Sequence, residues 1–197
     1  MESGLIHNQS TVLRGPVALC HLFLRDKVKP GDRVIDATCG NGGDTLVLAG
    51  LVGSRGKVWS FDIENEALTR TKGRLEDGGS CSQVELVRSG HENLAGYVAE
   101  PVQAVVFNLG YLPGSSKETV TRPETTLTAL EQASRLLLPG GVILVVVYTG
   151  HPGGQEEGCA VEEWAAGLPS VIFNVWSSRM LNRQTHAPYL LMVEKMN

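Results

Sequence analysis

Five short runs rich in valine and isoleucine recur along this chain, at residues 33–38, 57–63, 84–89, 104–110 and 142–148. Each is largely apolar on both faces, the pattern of strands buried within a parallel sheet. Helix-like segments separate them, at 44–52, 64–76, a short one at 91–98, and 123–138. Such β-α alternation leaves few folds open and predicts a doubly wound, mostly parallel sheet. The last third changes character. After a helix at 161–166, strands at 171–178 and 189–195 are joined by a polar stretch with no helix between them. Two such strands should pair antiparallel. Residues 15–28 read as a helix covering the sheet, stopped by Pro30-Gly31-Asp32. No internal repeat or long linker interrupts the pattern. One domain is expected over 1–197, with 1–30 as an N-terminal extension and covering helix.

A chain of 197 residues, 42% of them hydrophobic, can bury a substantial core. No apolar run approaches the roughly 18–20 residues needed to span a bilayer, so no membrane partner is expected. Met1-Glu2-Ser3-Gly4 lacks the basic and apolar regions of a signal peptide. Cytoplasm is therefore expected, with an organelle, after presequence removal, as the alternative. The four cysteines are scattered and form no C-x-x-C pair, so neither a metal site nor a disulfide framework is expected. A net charge of −4 argues against sequence-independent coating of nucleic acid. It leaves room for a basic rim around a pocket that takes one nucleotide.

The first strand runs directly into Asp36-Ala37-Thr38-Cys39-Gly40-Asn41-Gly42-Gly43-Asp44-Thr45 and then into a helix. Strand, glycine turn and helix bring a backbone close to a nucleotide-like ligand. Gly40 and Gly42 permit positive φ and close approach, and Asn41 lies between them. Asp36 closes the strand, where a carboxylate can meet a ligand ammonium, with Thr38 just beyond it. Asp44 and Thr45 open the helix, as ligand contacts, as caps, or as both. An acid followed by Gly-x-Gly resembles the first motif of S-adenosylmethionine (SAM) methyltransferases. A dinucleotide fingerprint would place a third glycine where Thr45 stands. Asp62 ends the second strand about 20 residues on and suits the ribose hydroxyls, with Ile63 as an apolar face for adenine. His91, after the third strand, reads as either an adenine-side or a structural residue.

Asn108-Leu109-Gly110-Tyr111-Leu112-Pro113-Gly114 leaves the fourth strand at the edge where open α/β sheets bind ligands. The turn partly resembles the Asn/Asp-Pro-Pro-Tyr motif of methyltransferases that act on nitrogen, with Leu109 and Gly110 in the proline positions. Asn108 can orient an N–H nucleophile, and Tyr111 can stack on a base or pack beside the methyl group. Leu109 also falls on the cofactor side, whereas Gly110, Leu112 and Pro113 face the acceptor. His151, in a glycine-rich loop after the fifth strand, is a candidate proton acceptor or a structural residue. The two arginines Arg179 and Arg183, with Asn182, in the polar stretch 179–188 can contact phosphate or base, or form a solvated loop.

Together these segments resemble the YtqB-like "putative rRNA methylase" family, which includes tRNA wobble-uridine methyltransferases. Tyr148-Thr149-Gly150-His151 and Ala187-Pro188-Tyr189-Leu190-Leu191-Met192-Val193-Glu194-Lys195 complete a similarity running from about Asp32 to Lys195. Asn-Leu-Gly-Tyr-Leu-Pro-Gly is its most specific string. Gly43 and Thr149 depart from the pattern, where histidine and proline respectively are common. The resemblance implies an α/β, Rossmann-like class I methyltransferase fold: a mostly parallel seven-stranded sheet with an antiparallel C-terminal strand. It implies SAM as cofactor and the anticodon stem-loop of tRNA as partner. The implied reaction is N-methylation of 5-aminomethyl-2-thiouridine to 5-methylaminomethyl-2-thiouridine. A homodimer is a further expectation, since a small domain without an RNA-binding appendage can use a second subunit to hold the stem. Small-molecule or rRNA methylation, a noncatalytic SAM-binding protein and a nicotinamide oxidoreductase are the alternatives.

Overall fold

Alternate residues of a strand point to opposite faces of a sheet, and that alternation divides the core here into two layers. The computed structural model describes residues 14–79, 82–110, 121–184 and 186–197. Its elements in chain order are α1 (Pro16–Lys27), β1 (Arg33–Asp36), α2 (Gly43–Val52), β2 (Lys57–Asp62), α3 (Asn65–Asp77), β3 (Val84–Arg88) and β4 (Val102–Asn108). They continue with α4 (Pro123–Leu136), β5 (Leu137–Val147), α5 (Gly154–Ala166), β6 (Phe173–Ser178) and β7 (Tyr189–Lys195). Val34, Val58, Ala104, Val106, Leu144 and Val146 pack on one face with Cys20 and Leu24 of α1, Leu48 and Val52 of α2, and Leu75 of α3. Their neighbours Ile35, Trp59, Val105, Phe107, Ile143 and Val145 pack on the other face against α4 and α5.

The sheet has seven strands in the order β3-β2-β1-β4-β5-β7-β6. β1 to β5 pair in parallel, and β7 runs antiparallel to both β5 and β6. This is the expected α/β class, down to the closing antiparallel hairpin. Chain order reverses between β1 and β4, which places the ligand crevice at the carboxyl ends of those two strands.

Three of the departures from the sequence reading have a local physical cause. The segment expected as a helix at 91–98 is a 3-10 turn, His91–Gly96. Its buried residues, His91 and Leu94, sit three apart, the spacing that a 3-10 turn stacks. α5 starts at Gly154 rather than 161, because Gly153 takes a left-handed φ of 81° and Glu156 and Glu157 lie in the first turn, favoured by the helix dipole. β5 starts at Leu137 rather than 142. A register shift between Val102 and Ala104 carries the pairing past Pro139-Gly140-Gly141.

Candidate active site

The turn after β1 closes when the Gly42 N–H bonds the Cys39 carbonyl at 2.8 Å, with Gly40 and Gly42 at φ of 52° and 75°. The Gly40 N–H donates to Asp62 Oδ2 at 2.8 Å, and the Glu64 N–H donates to Oδ1 at 2.8 Å. Asp62 thus ties the turn to the end of β2. A Cβ on Gly42 would lie 2.6 Å from the hydroxyl of buried Thr71, which itself donates to the Gly40 carbonyl. Gly42→Ala is therefore expected to cost about 1–3 kcal/mol, from the overpacking and the left-handed backbone. In a chain of this length that lowers the melting temperature by several degrees, roughly 2–4 °C per kcal/mol, which thermal unfolding would measure.

A cavity of about 1310 Å³ opens at the carboxyl ends of the parallel strands. Of the expected residues, Thr38, Gly40, Asn41, Asp44, Asp62, Ile63, His91, Asn108, Leu109, Gly110, His151 and Asn182 line it. Asp36, Gly42, Thr45 and Arg179 do not line it. Tyr111, Leu112 and Pro113 lie outside the described residues. Asp36 is fully buried under the turn, where it accepts from the Thr38 N–H at 3.1 Å and the Thr45 hydroxyl at 2.6 Å. Arg179 is held by Glu162 of α5, with its guanidinium 3.7 Å above the Tyr189 ring. Neither Asp44 nor Thr45 caps α2. The N-cap is Gly42, with no side-chain cap, and both side chains are spent on tertiary partners.

Asp44, like Asp62, faces the cavity. Its Oδ1 lies 2.6 Å from His21 Nε2, and its Oδ2 accepts from Asn108 Nδ2 at 2.9 Å. The Asn108 N–H donates to Thr38 Oγ1 at 2.7 Å, so the ends of β1 and β4 are pinned together at the site. Burial, and then the charge of Asp44, raise the Asp36 carboxyl from 3.8 to about 7. Burial, then the charges of Asp44 and Cys20, also raise the Tyr148 hydroxyl. Burial lowers His91, so at neutral pH an uncharged imidazole faces the cavity, edge-on to Phe107. His151 places Nδ1 3.0 Å from the Pro152 carbonyl and packs beside Gly110.

Sequence reasoning left out His21 and Arg122, which line the cavity, as do Tyr148 and Arg183 from the two loops it did single out. His21 had a readable signal, since it falls on the inward stripe of α1 marked by Val17, Leu24 and Val28. Glu157, an acid of the glycine-rich loop after β5, does not line the cavity but is buried at the start of α5, where it accepts from Thr121 and Thr126 at 2.7 Å each. Thr121 in turn accepts from the Gly110 N–H at 2.9 Å and fastens the chain leaving β4.

Three carboxylates, Asp36, Asp44 and Asp62, gather around one glycine turn. The Asp44 charge at the start of α2 opposes a pyrophosphate and suits a ligand carrying positive charge. The acidic lining therefore suits a ligand that carries positive charge, as a sulfonium nucleoside does. Doubly wound sheet, closing hairpin and acidic glycine turn together define a SAM-dependent methyltransferase of class I.

A model of the "Putative rRNA methylase" family matches residues 58–194. A chloroplastic tRNA (mnm5s2U34)-methyltransferase of Arabidopsis thaliana is 41% identical over 90% of this chain and 68% of its own length. The crystal structure of a "putative rRNA-methylase" from Clostridium thermocellum superposes with a TM-score of 0.91 at 42% identity, covering 94% of this chain and all of that one. A methyltransferase structure from Streptococcus mutans, solved with S-adenosylhomocysteine, gives 0.85 at 37% identity over 94% of this chain and all of that one. The chain belongs to the rRNA methylase family so described. Among the described residues no helix is long and apolar enough to cross a membrane.

Proposed function

We propose that this methyltransferase N-methylates the aminomethyl group of a modified wobble uridine in tRNA, converting 5-aminomethyl-2-thiouridine to 5-methylaminomethyl-2-thiouridine. The observation that carries the reading is Asn108, an amide at the carboxyl end of β4 whose NH2 is committed to Asp44. A carboxylate only accepts, so the amide must turn its NH2 to Asp44, leaving Oδ1 for an N–H donor. The named activity of the 41%-identical plant relative supplies the substrate class.

Bound SAM supplies an electrophilic methyl: the amine lone pair forms the new N–C bond while the C–S bond breaks and leaves its electron pair on sulfur. The amine must first surrender its extra proton to solvent, since an ammonium has no lone pair. Asn108 Oδ1 then accepts one N–H and aims the lone pair, and Arg122 and Arg183 stand exposed at the cavity wall for backbone phosphates. A second copy of the chain holding the stem belongs to the same proposal. So does a compartment that makes tRNA, either the cytoplasm or an organelle such as the plant relative's.

Labelled methyl transfer from SAM to total tRNA of a strain lacking this modification is expected, with the label in one nucleoside by mass spectrometry. Arg183→Ala is expected to weaken tRNA binding by several-fold and Arg179→Ala to leave it unchanged, because only the first borders the cavity. Turnover of small amines with no incorporation into tRNA would replace this reading with a small-molecule methyltransferase.

A further inference from the structure

We infer that His21, on the covering helix α1, is a positioning residue for methyl transfer, acting through Asp44 on the orientation of the Asn108 amide. The inference rests on the reading of Asn108 given above. The Asp44 side chain is 8% exposed and has each oxygen committed to a different partner: Oδ1 to His21 Nε2 at 2.6 Å, Oδ2 to Asn108 Nδ2 at 2.9 Å. Because a carboxylate cannot donate, the hydrogen in the first contact belongs to His21 Nε2. The imidazole therefore fixes the rotation of the carboxylate, and the carboxylate fixes which end of the Asn108 amide enters the cavity. Without His21, Asp44 can turn, and the amide loses the contact that keeps Oδ1 toward the acceptor.

α1 has an independent reason to be where it is. Cys20 and Leu24 bury against the sheet, while His21 and Val17 border the cavity. His21 is thus the link between a helix whose placement is secured by apolar packing and the atom that must be aimed to within a fraction of an ångström. A misplacement of about 1 Å can cost about 100-fold in rate.

The test uses His21→Phe, which keeps the ring volume but cannot donate, and His21→Gln, which restores a donor of similar reach. The first readout is the 15N side-chain amide signal of Asn108, identified by its loss in Asn108→Ala. It should shift in His21→Phe and return toward the wild-type position in His21→Gln. The second is single-turnover methylation of tRNA at saturating SAM, expected to fall roughly 10- to 100-fold in His21→Phe with partial rescue in His21→Gln, and with SAM affinity within about threefold. An unmoved amide signal, or a His21→Phe turnover within twofold of wild type, overturns the inference. Wild-type protein that methylates no tRNA overturns the function reading instead, and the amide signal still decides whether His21 orients Asn108.

Discussion

Asn108→Ala is expected to lower single-turnover methyl transfer by about 100-fold or more while leaving SAM affinity within a few-fold. The substitution removes the acceptor that aims the amine and leaves the backbone of the site intact. The hydrogen bond from the Asn108 N–H to Thr38 Oγ1 is main-chain on the Asn108 side and survives the change. The loss to stability is one partly buried hydrogen bond to a charged group, about 1.5–3 kcal/mol. Asn108→Asp is the sharper comparison. It keeps an oxygen in the same place but sets a second carboxylate against Asp44, in place of the donor that Asp44 now receives at 2.9 Å. It should be as inactive as the alanine variant, because repulsion turns the side chain or protonates it. An active Asn108→Ala would remove the asparagine from the mechanism. An active Asn108→Asp would show that an acceptor suffices and that the amide's hydrogen bond to Asp44 is dispensable.

The second large effect concerns stability. Among the described residues no opposite charge stands beside Asp36; it is buried beneath the turn, near Asp44 and Asp62, and its carboxyl rises from 3.8 to about 7. Between about pH 4 and 7 the unfolded chain has released this proton and the folded chain has kept it. The folded state therefore binds more protons, and stability falls as pH rises across that window. The contribution is fully present below about pH 4 and gone above about pH 7, a span of roughly 4 kcal/mol at the upper limit. Asp36→Asn, which cannot ionise, should gain on the wild type by a few kcal/mol between pH 4.5 and 7.5, read from urea midpoints at constant slope. A gap between the two proteins that stays the same at both pH values would mean that Asp36 ionises as freely folded as unfolded.

Much of this was legible along the chain, for identifiable reasons. Strands buried on both faces need valine and isoleucine in unbroken runs, so β1, β2, β4 and β5 announce themselves locally. Tyr189–Lys195 stands in the structure with the limits expected of it. The glycine turn is legible because its positive φ values demand glycine, and Asp62 because a strand end at that distance has one neighbour to serve. Boundaries at glycine were harder. Pro139-Gly140-Gly141 reads as a break, yet the strand runs through it, because a parallel partner can absorb a register shift that local propensity does not register.

At the site the division is different. Residue types and their order along the chain already dictate a cation-tolerant nucleoside cleft at one sheet edge, since backbone geometry puts every β-to-α turn on that edge. The orientation of Asp44 toward the cleft is a matter of side-chain partners from remote segments. Asp36 is turned inward by near neighbours, the Thr38 N–H and the Thr45 hydroxyl, whereas Asp44 is turned outward by His21 and Asn108, which lie 23 and 64 positions away. Arg179 and Arg183 sit four residues apart in one polar stretch, and only packing against Glu162 and Tyr189 separates the arginine that is occupied from the one at the cavity wall. Local chemistry names the candidates for each role; long-range contacts, which no short window of residues contains, assign them.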